Sequence, residues 1–344
     1  MSKIKVGIVG CGSITRHRHA PEYASNKNVD IVAFVDRVPS RAKECVAKYG
    51  GKIVATWEEL VALKDVDAIS VCTANAWHAP ITIAALKSGK HVLCEKPMAT
   101  SREEARAMVD AAAASGKYLM IGHNQRLAPM HVKAKQLLQS GVIGKVFTFR
   151  TAFSHGGPEG WSIEGASGWF FNKKEAFVGS MGDLGVHKTD LLLWLLEDDI
   201  VEASAFVEHN AKPYGDVDDN AVCLLRTKSG AVGTLTASWS HNPGDDNGTV
   251  IYGEKGILRI GSERSHSIVV NLASGENQYF DTGKMQTNDE GGQHDSGVIA
   301  EFVRSITNGT PPEISGTEGY RALMVVLACL ESSETKRHVP VVLR

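Results

Sequence analysis

The stretch His91-Val92-Leu93-Cys94-Glu95-Lys96-Pro97 decides the fold of the amino-terminal half of the chain. Its first four residues predict a short buried strand, and Pro97 ends that strand because proline has no N–H for a strand ladder. Proline also restricts Lys96 to an extended conformation. Ligands of an open parallel sheet bind beyond the carboxyl ends of its strands. We therefore expect Lys96 to face the ligand of this sheet, the alternative being a surface lysine in a β-to-α turn.

The chain around this stretch alternates between apolar runs and helical patterns. Further strands are predicted over residues 4–9, 31–35, 68–72 and 118–122. Two of the intervening helices begin at a capping-box spacing, from Thr56 to Glu59 and from Ser101 to Glu104. Strands that alternate with helices in this way imply right-handed crossovers and a doubly wound parallel sheet. We predict a dinucleotide-binding Rossmann domain over residues 1–123.

The turn after the first strand carries a glycine pattern typical of dinucleotide binding. Gly10 permits a tight turn, and Gly12 lets the backbone approach a pyrophosphate at the start of the next helix. Asp36 ends the second strand, at the separation expected for the acid that binds the adenosine ribose. Thr15 occupies the third position of the fingerprint, where glycine or alanine is usual, so the match is looser than the full motif.

The residues at the end of the second strand bear on the choice of coenzyme. Asp36 would accept hydrogen bonds from the ribose hydroxyls and repel a 2′-phosphate, which favours NAD over NADP. Arg37 and Arg41 lie close by in sequence, and an arginine can bind a phosphate bidentately. We predict NAD as the cofactor and leave NADP open.

After residue 123 the pattern changes to strands in series. They are predicted over 146–153, 201–208, 221–227, 231–240, 250–253, 257–260 and 268–272. Strands without intervening helices favour an antiparallel or mixed sheet. We predict an α+β substrate-binding domain over 124–344 with a large, mainly antiparallel open sheet, so that the chain as a whole is α/β. Helices would cover one face of this sheet, and we expect another copy of the chain on the other face, in a homodimer or homotetramer.

A helix that begins near Gly182 carries a second group of reactive residues. Asp183 and His187 are four residues apart and Asp190 follows one turn later, so their side chains share one face. A carboxylate that orients an imidazole allows proton transfer near neutral pH. A local ion pair or a half-buried histidine is the alternative. No third ligand has a suitable spacing, and we predict no metal.

Lys96, His187 and Asp183 together supply the groups that hydride transfer needs without a metal. A cation stabilises the developing alkoxide, a base takes the hydroxyl proton, and an acid holds the base. The three residues come from different halves of the chain, and we expect them to converge in a cleft.

The sequence resembles the Gfo/Idh/MocA oxidoreductases, a family named after glucose–fructose oxidoreductase, inositol dehydrogenase and a rhizopine-catabolism protein. The resemblance runs over nearly the whole chain. It rests on Gly10-Cys11-Gly12, Asp36, Thr73-x-Asn75-x-x-His78, Glu95-Lys96-Pro97, Asn124-x-Arg126, Gly141-x-Ile143-Gly144 and Asp183-x-Gly185-x-His187. Glu-Lys-Pro followed by Asp-x-Gly-x-His is the specific combination.

The resemblance implies a role for each motif. Lys96 and His187 would be catalytic with Asp183, and the Lys96–Pro97 peptide bond would be cis, as it often is in such proteins. Arg126 would join these three in binding substrate. The residues implied to bind the cofactor are Gly10, Gly12, Ser13, Ile14, Asp36, Arg37, Thr73, Asn75, His78, Glu95, Lys96 and Asn124.

Substrates of the resembling enzymes are mostly cyclic polyols and sugars, oxidised at a secondary carbinol. The stretch over 158–174 is rich in glycine and aromatic residues and suits a loop that covers a pocket. Trp161 and Trp169 could stack on a sugar face there, or could instead fill the core. The side chains that could bond sugar hydroxyls are His155, Lys173, His241 and His294.

The chain departs from the family pattern just before the catalytic helix. The family usually has three glycines there, and this chain has Phe177-Val178-Gly179. From this departure we expect a bulkier and less mobile loop before the helix, and a substrate pocket that differs from that of the inositol enzymes.

We predict an NAD(P)-dependent dehydrogenase that acts on a CH–OH group of an inositol, a hexose or a sugar derivative. Three alternatives stay open: a glycosidase that oxidises its substrate transiently with bound NAD, a dinucleotide-binding sensor without chemistry, and a reductase of substrates such as biliverdin or dihydrodiols. The presence of Lys96 and His187 argues against the sensor.

Composition excludes several other classes. At 344 residues the chain is long enough for two domains, and its 43% apolar and 22% charged residues are typical of globular proteins. The net charge of −2 gives no indication of nucleic acid or anionic membrane as a partner. The six cysteines are spread singly, and no apolar run approaches a membrane-spanning length. We expect a cytoplasmic protein with reduced thiols.

Overall fold

A computed structural model of the chain describes residues 3–242, 244–263, 265–283 and 295–343. The chain divides into two compact units. The first consists of Met1–Asn124, Glu159–Phe177 and Gln286–Tyr320, and the second of Gln125–Pro158, Val178–Met285 and Arg321–Arg344. The segment 159–177 thus belongs to the unit of the amino-terminal residues, although it lies within the range predicted for the second domain. His294, a predicted hydroxyl-binding residue, falls outside the described residues.

The amino-terminal part of the first unit alternates between strands and helices. Its elements are β1 (Ile4–Val9), α1 (Ala20–Ser25), β2 (Val29–Val35), α2 (Pro39–Tyr49), β3 (Lys52–Ile53), α3 (Trp57–Ala62), β4 (Ala68–Val71), α4 (His78–Lys87), β5 (His91–Cys94), α5 (Arg102–Ser115) and β6 (Leu119–Ile121). Both predicted helix starts are confirmed, since the Thr56 hydroxyl accepts the Glu59 N–H and the Ser101 hydroxyl accepts the Glu104 N–H.

The strands of this unit form a parallel sheet in the order β3-β2-β1-β4-β5-β6. This is the order of a dinucleotide-binding doubly wound sheet, in which the direction of winding reverses between β1 and β4. β4 and β6 are buried along their whole length, as expected of strands with helices on both faces. The predicted Rossmann fold is confirmed.

The carboxyl ends of the central strands are aligned with one another. Gly10 N donates to the Val35 carbonyl, and Cys72 N donates to the Val9 carbonyl. Glu95 N continues the series by donating to the Val71 carbonyl. The glycine turn, Asp36, the turn after β4 and the Glu-Lys-Pro turn therefore lie at one edge of the sheet, the edge where such sheets bind ligands.

The rest of the chain is dominated by strands. Its elements are α6 (Pro129–Gln139), β7 (Val146–Ser154), α7 (Lys173–Ala176), α8 (Val186–Leu196), β8 (Ile200–Glu208), β9 (Asn220–Thr227), β10 (Val232–Ser238), β11 (Thr249–Gly253), β12 (Gly256–Ile260), β13 (Ile268–Leu272), β14 (Asn277–Phe280), α9 (Val298–Asn308), α10 (Gly316–Thr335) and β15 (Val339–Pro340). Sequence reasoning missed α7, β14 and α9.

Within the described residues, the second unit has one nine-stranded sheet in the order β14-β13-β12-β11-β7-β10-β9-β8-β15. β7 and β10 are parallel, and the other neighbours are antiparallel. The predicted large, mainly antiparallel sheet is confirmed. The residues of β9 alternate in burial, with Cys223 and Leu225 buried while Val222 and Leu224 are exposed, so one face of the sheet packs on the core and the other carries apolar side chains at the surface.

Two kinds of feature are absent from the described residues. No helix in the described parts of the chain is long and apolar enough to cross a membrane. In the same parts, no group of three or more His, Cys, Asp or Glu side chains is arranged to hold a metal ion.

Candidate active site

The glycine turn after β1 has the geometry that a dinucleotide needs. Gly10 has a φ of +92°, and a Cβ added there would lie 2.3 Å from the Cys72 carbonyl oxygen, so only glycine fits. A Cβ on Gly12 would meet no atom within 4 Å. The backbone at Gly12 is therefore open to a ligand, which is the feature that lets a pyrophosphate approach the turn.

Thr15 fits the third position of the fingerprint for a reason the sequence does not reveal. Its hydroxyl donates a hydrogen bond of 2.6 Å to the Gly10 carbonyl, and the side chain is fully buried. Thr15 also begins a π-helical turn, Thr15–His19, that leads into α1. The hydroxyl thus fastens the start of this helical segment to the glycine turn.

Asp36 is held in place by the backbone around it. One carboxylate oxygen accepts the Cys11 N–H at 2.6 Å, and the other accepts the Val38 N–H at 2.7 Å. Each oxygen has a second lone pair, so the carboxylate can still accept hydrogen bonds from two ribose hydroxyls. These contacts fix the acid beside the glycine turn, as a ribose-binding role requires.

The Lys96–Pro97 peptide bond is cis, as the family resemblance implied. The preceding residue, Glu95, is buried and turns its carboxylate inward. Its Oε1 accepts hydrogen bonds from Arg18 at 3.2 Å and lies 2.8 Å from Nε2 of His19. Burial alone would raise the pKa of Glu95, but the His19 hydrogen bond and the Arg18 charge lower it to about 2.

The buried contacts continue inward from Glu95. Nδ1 of His19 is 3.1 Å from the Ser70 hydroxyl, which is in turn 2.8 Å from the Tyr23 hydroxyl. All of these side chains are buried. Sequence reasoning missed Arg18, His19 and Tyr23. The one feature of the sequence that could have indicated their burial is that these charged and aromatic residues follow the glycine turn, on a segment that must pack against the sheet.

His78 links two of the turns at this edge. Its Nδ1 lies 2.8 Å from the Pro97 carbonyl oxygen and its Nε2 lies 3.1 Å from the Thr73 carbonyl oxygen. A neutral imidazole has a single N–H and can donate to only one of them. Burial lowers the pKa of His78, and the two carbonyls oppose that effect. The ring is buried and positions the turn that carries Lys96.

The helical segment that carries Asp183 and His187 begins on a half-buried carboxylate. Asp218 accepts hydrogen bonds from the N–H groups of Gly179 and Met181 and from the Ser180 hydroxyl, at 2.6 to 2.9 Å. A carboxylate at a helix start satisfies N–H groups that have no partner within the helix and favours the helix dipole. Asp218 is thus a support of this helix that sequence reasoning missed.

Where the family usually has three glycines, the sequence of this chain places a residue with a side chain in an unfavourable backbone conformation. Phe177 adopts a φ of +69°, which is uncommon for a residue with a side chain. Gly179 is the position where glycine is required, since a Cβ there would lie 1.8 Å from the Asp218 carbonyl oxygen. The bulkier sequence is therefore tolerated at Phe177 and Val178 and not at Gly179.

Asp183 and His187 are both buried, at 8% and 7% exposure. Asp183 lies in a π-helical turn, Met181–Gly185, and its Oδ2 accepts the indole N–H of Trp239 at 3.1 Å. His187 lies on α8, with its ring 5.8 Å from that of Phe153. Trp239 is the residue that holds the candidate acid, and no local pattern in the sequence relates it to Asp183.

The neighbour of His187 is a buried lysine that sequence reasoning also missed. Lys188 donates to the Asn247 carbonyl at 3.3 Å and lies over the Phe153 ring. Burial lowers the pKa of Lys188 to about 7, and the Asp246 carboxylate opposes that shift.

Arg126 and Asp190 form a buried bidentate ion pair. Nε of Arg126 donates to Asp190 at 2.8 Å and Nη2 donates at 2.6 Å. Arg126 is 2% exposed and Asp190 is fully buried. The pair fastens α8, which carries both Asp190 and His187, to the start of the second unit.

The remaining predicted residues fall into two groups. In the first unit, Ser13 Oγ accepts the Ile163 N–H, Asn75 donates to the Ala176 carbonyl, Trp169 stacks on Phe170, and Trp161 meets Phe170 edge to face. Ile14, Thr73 and Asn124 are half-buried, and Lys173 is exposed. In the second unit, His155 is buried and its Nδ1 accepts the Gly157 N–H, while His241 is exposed.

Two family models match the chain. The model described as oxidoreductase family, NAD-binding Rossmann fold matches residues 4–123, and that of the GFO/IDH/MocA C-terminal domain matches residues 131–259. Together they span well over half of the chain.

Similar proteins and structures agree with these matches. Levoglucosan dehydrogenase from Pseudarthrobacter phenanthrenivorans is 26% identical over 390 residues, covering 99% of this chain and of that protein. Myo-inositol 2-dehydrogenase from Thermotoga maritima is 27% identical over 347 residues, covering 98% of each. A solved structure of levoglucosan dehydrogenase in complex with NADH and levoglucosan has a TM-score of 0.88 and 25% identity, and the match covers 100% of both chains.

The fold and these matches define an NAD-binding oxidoreductase of the sugar and polyol dehydrogenase type. The chain belongs to the Gfo/Idh/MocA family, and the resemblance inferred from its motifs is confirmed. Gly10, the open backbone at Gly12 and the oriented Asp36 carboxylate fit the coenzyme that the family model names.

Proposed function

We propose that the protein is an NAD-dependent dehydrogenase that oxidises a secondary hydroxyl of a cyclic polyol or sugar, with Lys96, Asp183 and His187 as its catalytic residues. The proposal is carried by the placement of Lys96, at the carboxyl edge of a Rossmann sheet and on a turn braced by His78 and Glu95. The names of the levoglucosan and inositol dehydrogenases support the substrate class.

Each residue has a chemical role. The Lys96 ammonium stabilises the negative charge that develops on the substrate oxygen. The His187 imidazole accepts the hydroxyl proton, and the Asp183 carboxylate, itself held by the Trp239 N–H, favours the charged ring that results. NAD, when bound at this edge of the sheet, would supply the acceptor for the hydride that leaves the carbinol carbon.

We infer a supporting role for two residues that the family resemblance implied as ligands. The Glu95 carboxylate is engaged by Arg18 and His19, and the Arg126 guanidinium is engaged by Asp190. Both side chains are at least nine-tenths buried. We therefore assign Glu95 to positioning Lys96, and Arg126 to positioning the helix of His187.

A substrate screen combined with a lysine variant tests the function. Inositols, hexoses, anhydrosugars and glycosides are offered with NAD, and NADH formation and free sugar release are both followed. We expect NADH to form with at least one cyclic polyol or sugar, and Lys96→Met to abolish this while NAD binding persists. Lys87→Met, on an exposed lysine of the same unit, is the matched control. Full turnover by Lys96→Met would remove the lysine from the mechanism, and sugar release without net NADH would identify a glycosidase.

We propose that a second copy of the chain covers the outer face of the nine-stranded sheet. Phe206, Val222 and Leu224 are 73%, 51% and 60% exposed, and Phe206 pairs with Val222 across β8 and β9. The same strands carry the exposed ion pair of Glu202 with Arg226. The same face of a second copy would carry the same two charges, so each charge could contact its opposite across the interface. A two-fold contact would bury this patch against itself.

Sedimentation equilibrium tests the assembly. We expect a dimer or tetramer of the native chain, and Leu224→Asp to shift it to smaller species. A native chain that is monomeric at micromolar concentration would contradict the proposal.

A further inference from the structure

The segment 159–177 contacts the turns of the first unit that were predicted to bind the nucleotide. Ser13, in the glycine turn, accepts the Ile163 N–H at 3.2 Å. Asn75, after β4, donates to the Ala176 carbonyl at 2.8 Å. The segment therefore reaches both sides of the point where the sheet changes its direction of winding, which is where such sheets bind a dinucleotide.

Two glutamates of this segment form ion pairs with the two arginines that follow Asp36. Glu164 Oε1 lies 2.8 Å from Nη2 of Arg41, and these side chains are 23% and 19% exposed. Glu175 Oε1 lies 3.4 Å from Nη1 of Arg37, in a more exposed pair. The other oxygen of Glu164 accepts the Trp169 N–H at 3.3 Å, so this carboxylate is oriented from both sides.

These pairs lie beside the position that distinguishes the two nicotinamide coenzymes. Asp36 is the acid expected to bind the adenosine ribose, and NADP carries a phosphate on the ribose 2′ oxygen. Binding that phosphate needs a cation, and an arginine is the residue best suited to it. Arg37 and Arg41 are the arginines at the end of β2 and the start of α2, and in this structure both are engaged by carboxylates.

We propose that Glu164 and Glu175 determine the preference of this protein for NAD over NADP, by holding Arg41 and Arg37 in ion pairs that deny a 2′-phosphate its cationic partners. Asp36 repels the phosphate directly, and the two glutamates remove the attraction that would offset this repulsion. Glu164 has the larger effect, because its pair is shorter and less exposed. The inference deepens the proposed function, since it concerns the coenzyme of the same reaction.

The test compares the affinities of the two coenzymes in charge-removing variants. Glu164→Gln, Glu175→Gln and the double variant keep the size of the side chain and remove its charge. NAD and NADP binding are each measured by titration calorimetry on the full-length protein. We expect the ratio of NADP to NAD affinity to rise by about tenfold in the double variant, mostly from Glu164→Gln. Adding Arg41→Ala to the double variant should abolish most of the gain.

Glu301→Gln is the matched control, because Glu301 pairs with Arg304 on its own helix α9 within the same unit. We expect it to leave the affinity ratio unchanged. An unchanged ratio in the double variant, with both coenzymes still binding, would overturn the proposal, as would a gain that survives Arg41→Ala. Because binding is measured without substrate, a failure to oxidise any sugar would count against the proposed function and leave this result intact.

Discussion

Two of the three candidate catalytic residues, Lys96 and His187, are supported by buried charges of different kinds. Beneath the turn of Lys96, the Glu95 carboxylate contacts Arg18 and a histidine, His19. Beside His187, α8 is fastened by Arg126 and Asp190. The first support contains a histidine and depends on the surrounding hydrogen bonds, whereas the second pairs one carboxylate with a guanidinium that is charged at every accessible pH.

The comparison shows that a charged residue in a functional motif can act through another residue. Glu95 and Arg126 both belong to motifs that imply ligand contact, and both turn their charges into the protein. Their buried partners, Arg18 and Asp190, lie 77 and 64 residues away in sequence. The motif indicates that a charged residue is needed at the position, and the structure shows which buried residue that charge contacts.

Removing Asp190 should produce the largest effect on stability. Asp190→Ala deletes the carboxylate that two guanidinium nitrogens of Arg126 contact in a dry environment, and such a loss costs about 3–5 kcal/mol. We expect urea unfolding to show this decrease. The double variant Arg126→Met/Asp190→Leu removes both charges and should recover most of the loss. A decrease below about 1 kcal/mol in Asp190→Ala would show that the pair is not the main support of α8.

The support of Lys96 should respond to acid. The pKa of Glu95 is lowered from 4.5 to about 2, so its contribution is complete above pH 4.5 and is lost as the pH falls toward 2, an effect of about 3 kcal/mol. We expect Glu95→Gln to reduce the stability measured at pH 6 and to flatten the acid side of the stability profile. A variant whose acid profile matched that of the native protein would contradict the assigned network.

Trp239→Phe should impair catalysis. The change keeps an aromatic ring and removes the N–H that holds Asp183, and a hydrogen bond to a charged group contributes about 1.5–3 kcal/mol. We expect kcat to fall by about tenfold or more, with the pH profile of kcat altered because Asp183, the proposed partner of His187, is less well held. An unchanged pH profile would limit Trp239 to a packing role.

The smallest effect is expected where the support is an uncharged hydrogen bond. Thr15→Ala brings the glycine fingerprint closer to its usual form. From the sequence alone, this change would be expected to strengthen NAD binding. The structure predicts a loss of about 1 kcal/mol instead, because the Thr15 hydroxyl bonds the Gly10 carbonyl. Thermal unfolding together with NAD titration would check this, and tighter NAD binding without loss of stability would favour the sequence-based expectation.

Much of the fold follows from local patterns in the sequence. β1, β5 and β13 have the predicted bounds, because each is a short apolar run with a turn-forming glycine or proline close after it. The tight turn at Gly10 and the placement of Asp36 beside it were predictable because both depend on backbone geometry close by in sequence.

The supports of the candidate site were not predictable in the same way. Asp218 caps the start of the helical segment that carries Asp183 and His187 from 37 to 39 residues away, and Trp239 reaches Asp183 across 56 residues. Such contacts depend on how the strands of the sheet are arranged around the helix, which local sequence patterns do not determine. The attachment of segment 159–177 to the first unit is of the same kind, because only the tertiary fold relates Glu164 to Arg41, which is 123 residues away.

Lys96 and His187 are proposed to act on one substrate oxygen, and a crystal structure of the protein with NADH and the sugar it oxidises best is the most direct measurement of this. We predict that Nζ of Lys96 and a ring nitrogen of His187 both lie within about 3.2 Å of the reacting oxygen. The mechanism would be contradicted by a structure of the active protein in which either nitrogen is too far from that oxygen for a single water molecule to bridge them.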